Sequence, residues 1–174
     1  MTAPEFALRN PSTALAGTDL RIHLPLDRAL VNKLLAERPS GTPVRELYLD
    51  PDPNGQLHVH IGIDVPVVGR QERRLTLVPG PAVRFPEQPW LEFAITDGFR
   101  FLDKPLIGLL RGQLEKRLPR GVEFSADALR LHVPALLTGA GRQELSPLIQ
   151  ELRVTSADNR LVLDLHLSSK PTTV

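Results

Sequence analysis

The chain has 174 residues, a net charge of +1, 41% apolar and 24% charged residues, the composition of a globular domain that can bury a core without staples. Acids and bases are interleaved, so no basic field calls for nucleic acid. The absence of cysteine excludes disulfides, thiolate metal sites and a cysteine nucleophile.

No stretch reaches the roughly 18 consecutive apolar residues of a membrane span. Residues 1–11 lack the positive region and apolar core of a secretory leader. The expected compartment is the cytoplasm for a full-length chain, and the periplasm or exterior for a processed one.

Residues 1–18, with Pro4, Pro11 and Gly17, read as a lead-in arm. Residues 19–168 read as a single α+β domain, and 169–174 as a tail. In 19–26, Leu20, Ile22, Leu24 and Leu26 alternate with Asp19, Arg21 and His23, the period of a half-buried strand. Asp27 can cap the helix that follows, with Leu26 stapled to Val31. Over 28–38 the apolar positions Leu30, Val31, Leu34 and Leu35 predict one helical face, ended by Pro39, Gly41 and Pro43.

A β-rich middle comes next. Strands are expected at 44–49 and, after the Asp50-Pro-Asp-Pro-Asn-Gly55 turn, at 56–64, where Leu57, Val59, Ile61 and Ile63 share one face. Further strands are expected at 73–78, 89–95 and, beyond an Asp97-Gly98 turn, 99–102. The longest predicted helix is 103–118, with Asp103 as cap and Pro105 in the first turn. Leu106, Ile107, Leu109, Leu110, Leu114 and Leu118 cover one side of it. The chain closes with strands at 122–124, 128–133, 149–154 and 161–167, and the stretch between the second and third reads as a Gly-rich loop.

The two ends echo each other. Leu20-Arg-Ile-His-Leu-Pro25 matches Leu129-Arg-Leu-His-Val-Pro134 at four of six positions. Val44-Arg-Glu-Leu-Tyr-Leu49 resembles Ile149-Gln-Glu-Leu-Arg-Val154, and each is followed by a polar turn and an alternating strand. Such an echo predicts an internal repeat of two strand-rich units around a central sheet and helix.

Signatures of catalysis are absent: no phosphate loop, dinucleotide fingerprint, nucleophile elbow or zinc-protease helix occurs. The expectation is a non-enzyme with no catalytic residue and no cofactor. His58 and His60 project from one strand face, and His23, His132, His166, Asp64 or Asp164 are the residues that could complete a metal site with them. All of them alternate with Leu, Ile or Val, which instead predicts a solvated polar face and no metal. Arg70, Arg73 and Arg74 around Glu72 read either as a solvated hairpin end or as an anion contact.

Leucine is the dominant signal, 31 of 174 residues. The segment Leu148 to Leu167, LIQELRVTSADNRLVLDLHL, with its long amphipathic strands and asparagine turn, resembles the tubular lipid-binding (TULIP-like) proteins and related small bacterial domains. The pattern extends loosely over 19–167. The resemblance implies a strongly curved antiparallel sheet of about six to eight strands, two main helices on its concave face, and an apolar groove for acyl chains. The ligand residues expected on that reading are Leu106, Leu109, Leu110 and Leu114 with Phe93, Phe99 and Phe101, and the partner is a lipid or other apolar small molecule. The alternative is a structural or interaction module with a filled core, whose partner is another protein or a second copy of the chain.

Overall fold

The computed structural model describes residues 17–36, 44–65, 69–98, 120–125 and 127–169. They build ten strands in two antiparallel sheets, with few and short helices. The first sheet has the order β1-β10-β9-β5, from β1 (Asp19–Asp27), β5 (Val83–Arg84), β9 (Ile149–Ala157) and β10 (Arg160–Ser168). The second is a strongly curled six-stranded sheet, β2-β3-β4-β6-β8-β7. Its strands are β2 (Val44–Pro51), β3 (Leu57–Val65), β4 (Gly69–Pro79), β6 (Trp90–Asp97), β7 (Val122–Phe124) and β8 (Ala128–His132).

The period-two pattern decides which faces meet. In the six-stranded sheet, Leu49, Val59 and Leu75 lie in one cross-strand row, and Pro51, Leu57 and Leu77 in the next. Leu57, Leu75 and Leu77 of that face are buried together with Val83, Leu91 and Phe93. Ile149 and Val154 of the four-stranded sheet join the same cluster, so both sheets share one core. Ser156 of β9 adds a polar tie, its hydroxyl donating to the Asp52 carbonyl in the β2–β3 turn at 2.8 Å.

Helix α1 (Arg28–Ala36) begins as expected: the Asp27 carboxylate accepts from the Ala29 N–H at 2.7 Å, and Leu26 and Val31 both reach the core. Its inward face is narrower than predicted. Val31 and Leu35 pack on the core, whereas Leu30 and Leu34 stay exposed. The helix lies against the edge of β2, where the Asn32 amide donates to Leu49 O (2.8 Å) and accepts from Leu49 N (2.7 Å). One side chain thus takes the place of a neighbouring strand.

A second helix, α2 (Val133–Gly139), and a 3-10 helix (Gln143–Leu148) stand where a loop was expected. His132 caps α2 by accepting from the Ala135 N–H through Nδ1 at 3.2 Å, and Pro134 sits in the first turn, where its missing N–H costs nothing. The matching hexapeptides therefore differ locally: 20–25 lies wholly within β1, whereas 129–134 leaves β8 and enters α2. The segments 44–49 and 149–154 each form a strand that pairs antiparallel with the next strand in sequence. The strand expected at 99–102 and the helix expected at 103–118 lie outside the described residues.

Candidate functional site

The register of β1 on β10 builds one apolar strip. Leu20, Ile22, Leu24 and Leu26 stand opposite Leu167, Leu165, Leu163 and Leu161, and the strip runs on to Leu152 and Val154 of β9. The β10 leucines pack against the core, but on β1 only Leu26 does so. Leu20 is 42% exposed and Leu24 45%. Apolar side chains at alternate positions of a sheet face normally lie under another layer. Here the face continues past the rim of the core onto an edge strand.

Of the ligand residues expected from sequence, Phe93 is described. It is 6% exposed, in the middle of β6 and of the shared core. Its ring is packing material, shielded from any ligand that does not displace the core. Leu106, Leu109, Leu110, Leu114, Phe99 and Phe101 lie outside the described residues.

The histidines are dispersed over separate contacts. His23 Nδ1 meets Asp164 Oδ1 at 2.6 Å, and His166 Nε2 meets Asp19 Oδ1 at 2.9 Å, both on the outer face of the four-stranded sheet. His60 stands edge-on to Tyr48, ring centroids 5.8 Å apart. His132 caps α2 and leans on Trp90 at 4.8 Å. Among the described residues no three His, Asp or Glu side chains form a group suited to a metal ion.

His58 departs from the expected solvated face. Its side chain is 13% exposed, with Nδ1 3.2 Å from the Thr76 hydroxyl and Nε2 3.4 Å from Asp52. Asp52 in turn accepts from the Asn54 N–H at 2.6 Å. That backbone bond, followed by the contact with His58, holds the Asp52 carboxyl below its ordinary range.

A second concavity, a groove of about 670 Å³, runs beside α1 over the outer face of β2, β3 and β4. Across it, the register sets Tyr48, His60 and Arg74 in one row and Glu46, Gly62 and Glu72 in the next. Arg70 bonds to both carboxylates of the second row, 2.7 Å to Glu46 and 3.2 Å to Glu72. The arginine cluster singled out in the sequence is therefore spent in part on its own acids. Arg28 donates to Asp50 at 2.9 Å, a bond that raises the guanidinium pKa above its ordinary value. The charged groups around this groove balance one another.

No protein-family model, curated protein or solved structure matches this chain. Among the described residues no helix is long and apolar enough to cross a membrane. The fold class is α+β, mostly antiparallel sheet.

Proposed function

We propose that the protein binds an apolar ligand, a lipid or acyl chain, without catalysis, along the strip shared by β1 and β10. The observation that carries this reading is the exposure of Leu20 and Leu24, 42% and 45%, on a sheet face whose β9 and β10 members belong to the core. An extended methylene chain laid across them would remove their exposed halves from water. Full burial of a leucine contributes about 1.5–3 kcal/mol, so each of these two offers roughly 1 kcal/mol to a ligand. Arg21 lies on the opposite face of this edge strand and can meet an acidic head group that curls over the edge.

The proposal includes the amphipathic segment 103–118, whose leucines Leu106, Leu109, Leu110 and Leu114 match such a face in character. It also includes kinship with tubular lipid-binding domains and an internal duplication, readings that rest on the sequence of 148–167 and on the echo between the two ends of the chain. A second reading, an interaction module with a filled core, is favoured by one feature: among the described residues β1 is the longer edge of its sheet.

Native mass spectrometry of the purified chain tests the first reading. Acyl-chain adducts that disappear after delipidation and return on adding a fatty acid are expected. A chain that carries no adduct and takes up none at saturating fatty acid would sink it.

A further inference from the structure

The edge of β1 has a backbone pattern that selects its partner. At the two ends of the β1–β10 ladder, Arg28 N–H donates to Asn159 O (3.0 Å) and Ser169 N–H donates to Thr18 O (3.2 Å). Both pairs continue the unbroken register from Asp19↔Ser168 to Asp27↔Arg160. In an antiparallel ladder the bonded residues alternate, so the even-numbered residues of β1 turn their N–H and C=O groups to β10. The odd-numbered residues, Asp19, Arg21, His23, Pro25 and Asp27, turn theirs outward. Among the described residues no strand neighbours that side. Pro25, which has no N–H, falls at an outward position, where it takes nothing from the existing sheet.

We propose that this edge pairs with β1 of a second copy of the chain, antiparallel, about a two-fold axis at Ile22. Only registers that set odd residues opposite odd residues bring outward N–H groups to outward carbonyls, and these also keep the leucines on one face. Five such registers overlap most of the strand, centred on Arg21, Ile22, His23, Leu24 and Pro25. Centring on Leu24 or Pro25 carries Leu20 past the end of the other copy's strand and leaves it uncovered, and Pro25 on the axis also removes two N–H donors. Centring on Arg21 sets the two Arg21 side chains directly opposite each other. Centring on His23 sets Asp19 opposite Asp27 of the other copy. Like charges directly opposed are destabilising in both.

Centring on Ile22 avoids both conflicts. Leu20 then faces Leu24 of the other copy, and Ile22 faces its own counterpart. The two most exposed apolar side chains of β1 cover each other. On the outer face Arg21 meets His23 of the other copy, which already holds the Asp164 carboxylate at 2.6 Å, so cation, imidazole and carboxylate form a row across three strands. Arg21 and His23 exchange both backbone bonds with their counterparts, and the Asp19 N–H meets the Pro25 carbonyl. The two four-stranded sheets become one sheet of eight, with a doubled apolar strip. The pairing rests on backbone parity and register and does not require a ligand.

Cysteine cross-linking tests the register, and the chain has no native cysteine to interfere. Ile22 faces its counterpart as a non-hydrogen-bonded pair, with Cα atoms about 4.5 Å apart, close enough for a disulfide. Under mild oxidation Ile22→Cys is expected to form a covalent dimer. Leu20→Cys and Leu24→Cys should each stay uncoupled alone and should cross-link when mixed. In sedimentation the unmodified chain should show a dimer that dissociates on dilution, and Arg21→Pro, which deletes one outward N–H and spares the bonds to β10, should shift it to monomer with unchanged circular dichroism. A chain that sediments at its 19.3 kDa monomer mass over about 1–200 μM overturns the proposal. So does a dimer in which Ile22→Cys fails to couple or Leu20→Cys couples to itself.

Discussion

Replacing Asn32 by alanine tests how α1 holds the edge of the six-stranded sheet. The Asn32 amide makes two bonds to the backbone of Leu49, at 2.7 and 2.8 Å, and Leu49 is itself 9% exposed. Alanine removes both partners and leaves a buried N–H and a buried carbonyl without one. Each such group costs about 1–3 kcal/mol. Water can reach part of this edge because the bonds are only part-buried, so each group costs about 1–1.5 kcal/mol, the low end of that range. The expected loss is therefore about 2–3 kcal/mol. In urea the midpoint should fall with unchanged slope. In a thermal scan a chain of this size should lose about 5–10 °C, at roughly 2–4 °C per kcal/mol. Asn32→Asp, which keeps an acceptor for the Leu49 N–H but sets a charge against its carbonyl, should not restore stability. A loss below about 0.5 kcal/mol for Asn32→Ala, the range of ordinary surface changes, would refute the reasoning.

Three further outcomes follow from the described contacts. His132→Ala should cost about 1 kcal/mol through loss of the α2 cap, and His132→Asn should recover most of it, as read by chemical denaturation. Gly98→Ala should be among the most destabilising single changes in the chain, roughly 2 kcal/mol or more by thermal unfolding. Its φ is +117°, and an added Cβ would lie 2.4 Å from Arg74 O and 2.9 Å from Leu75 Cα. Asp52 has a folded pKa below its unfolded one, so its stabilisation is complete above the unfolded value of about 3.9 and is lost as pH falls through the folded value. Urea midpoints of the unmodified chain and Asp52→Asn should therefore converge as pH is lowered, and a gap that stays constant down to about pH 2 contradicts this.

The strands were legible because each carries its own period. Leu20, Ile22, Leu24 and Leu26 announce β1 and its apolar face, and Leu161, Leu163, Leu165 and Leu167 announce β10. Asp27 and Gly55 announce the cap of α1 and the β2–β3 turn. Pairing was not legible, because period two gives a face and not a neighbour. Nothing in the sequence assigns β1 to β10, 141 residues away at the His23–Asp164 contact. Helix α2 was missed because the stretch after 133, which holds Gly139 and Gly141, read as a Gly-rich loop and because histidine is an unusual cap. The signal was present in Pro134 at the first turn and in the pair Val133 and Leu137. The histidines were assigned to the polar side of their strands, but turn residues such as Asp52 fold back over that side and cover His58. Phe93 was chosen for apolarity, which marks a core and a ligand groove alike. Within the β1–β10 strip, exposure marks Leu20 and Leu24, which share their pattern with the leucines of β10 that pack against the core beside them.

The most direct measurement is titration of the chain with a fluorescent fatty acid, compared with the Leu20→Glu/Leu24→Glu double variant. Ligand binding on the β1–β10 strip predicts saturable binding to the unmodified chain and at least about tenfold weaker binding to the variant, since roughly 1 kcal/mol is lost at each leucine. Equal affinity for a folded double variant, or no saturable binding to either protein, would contradict it.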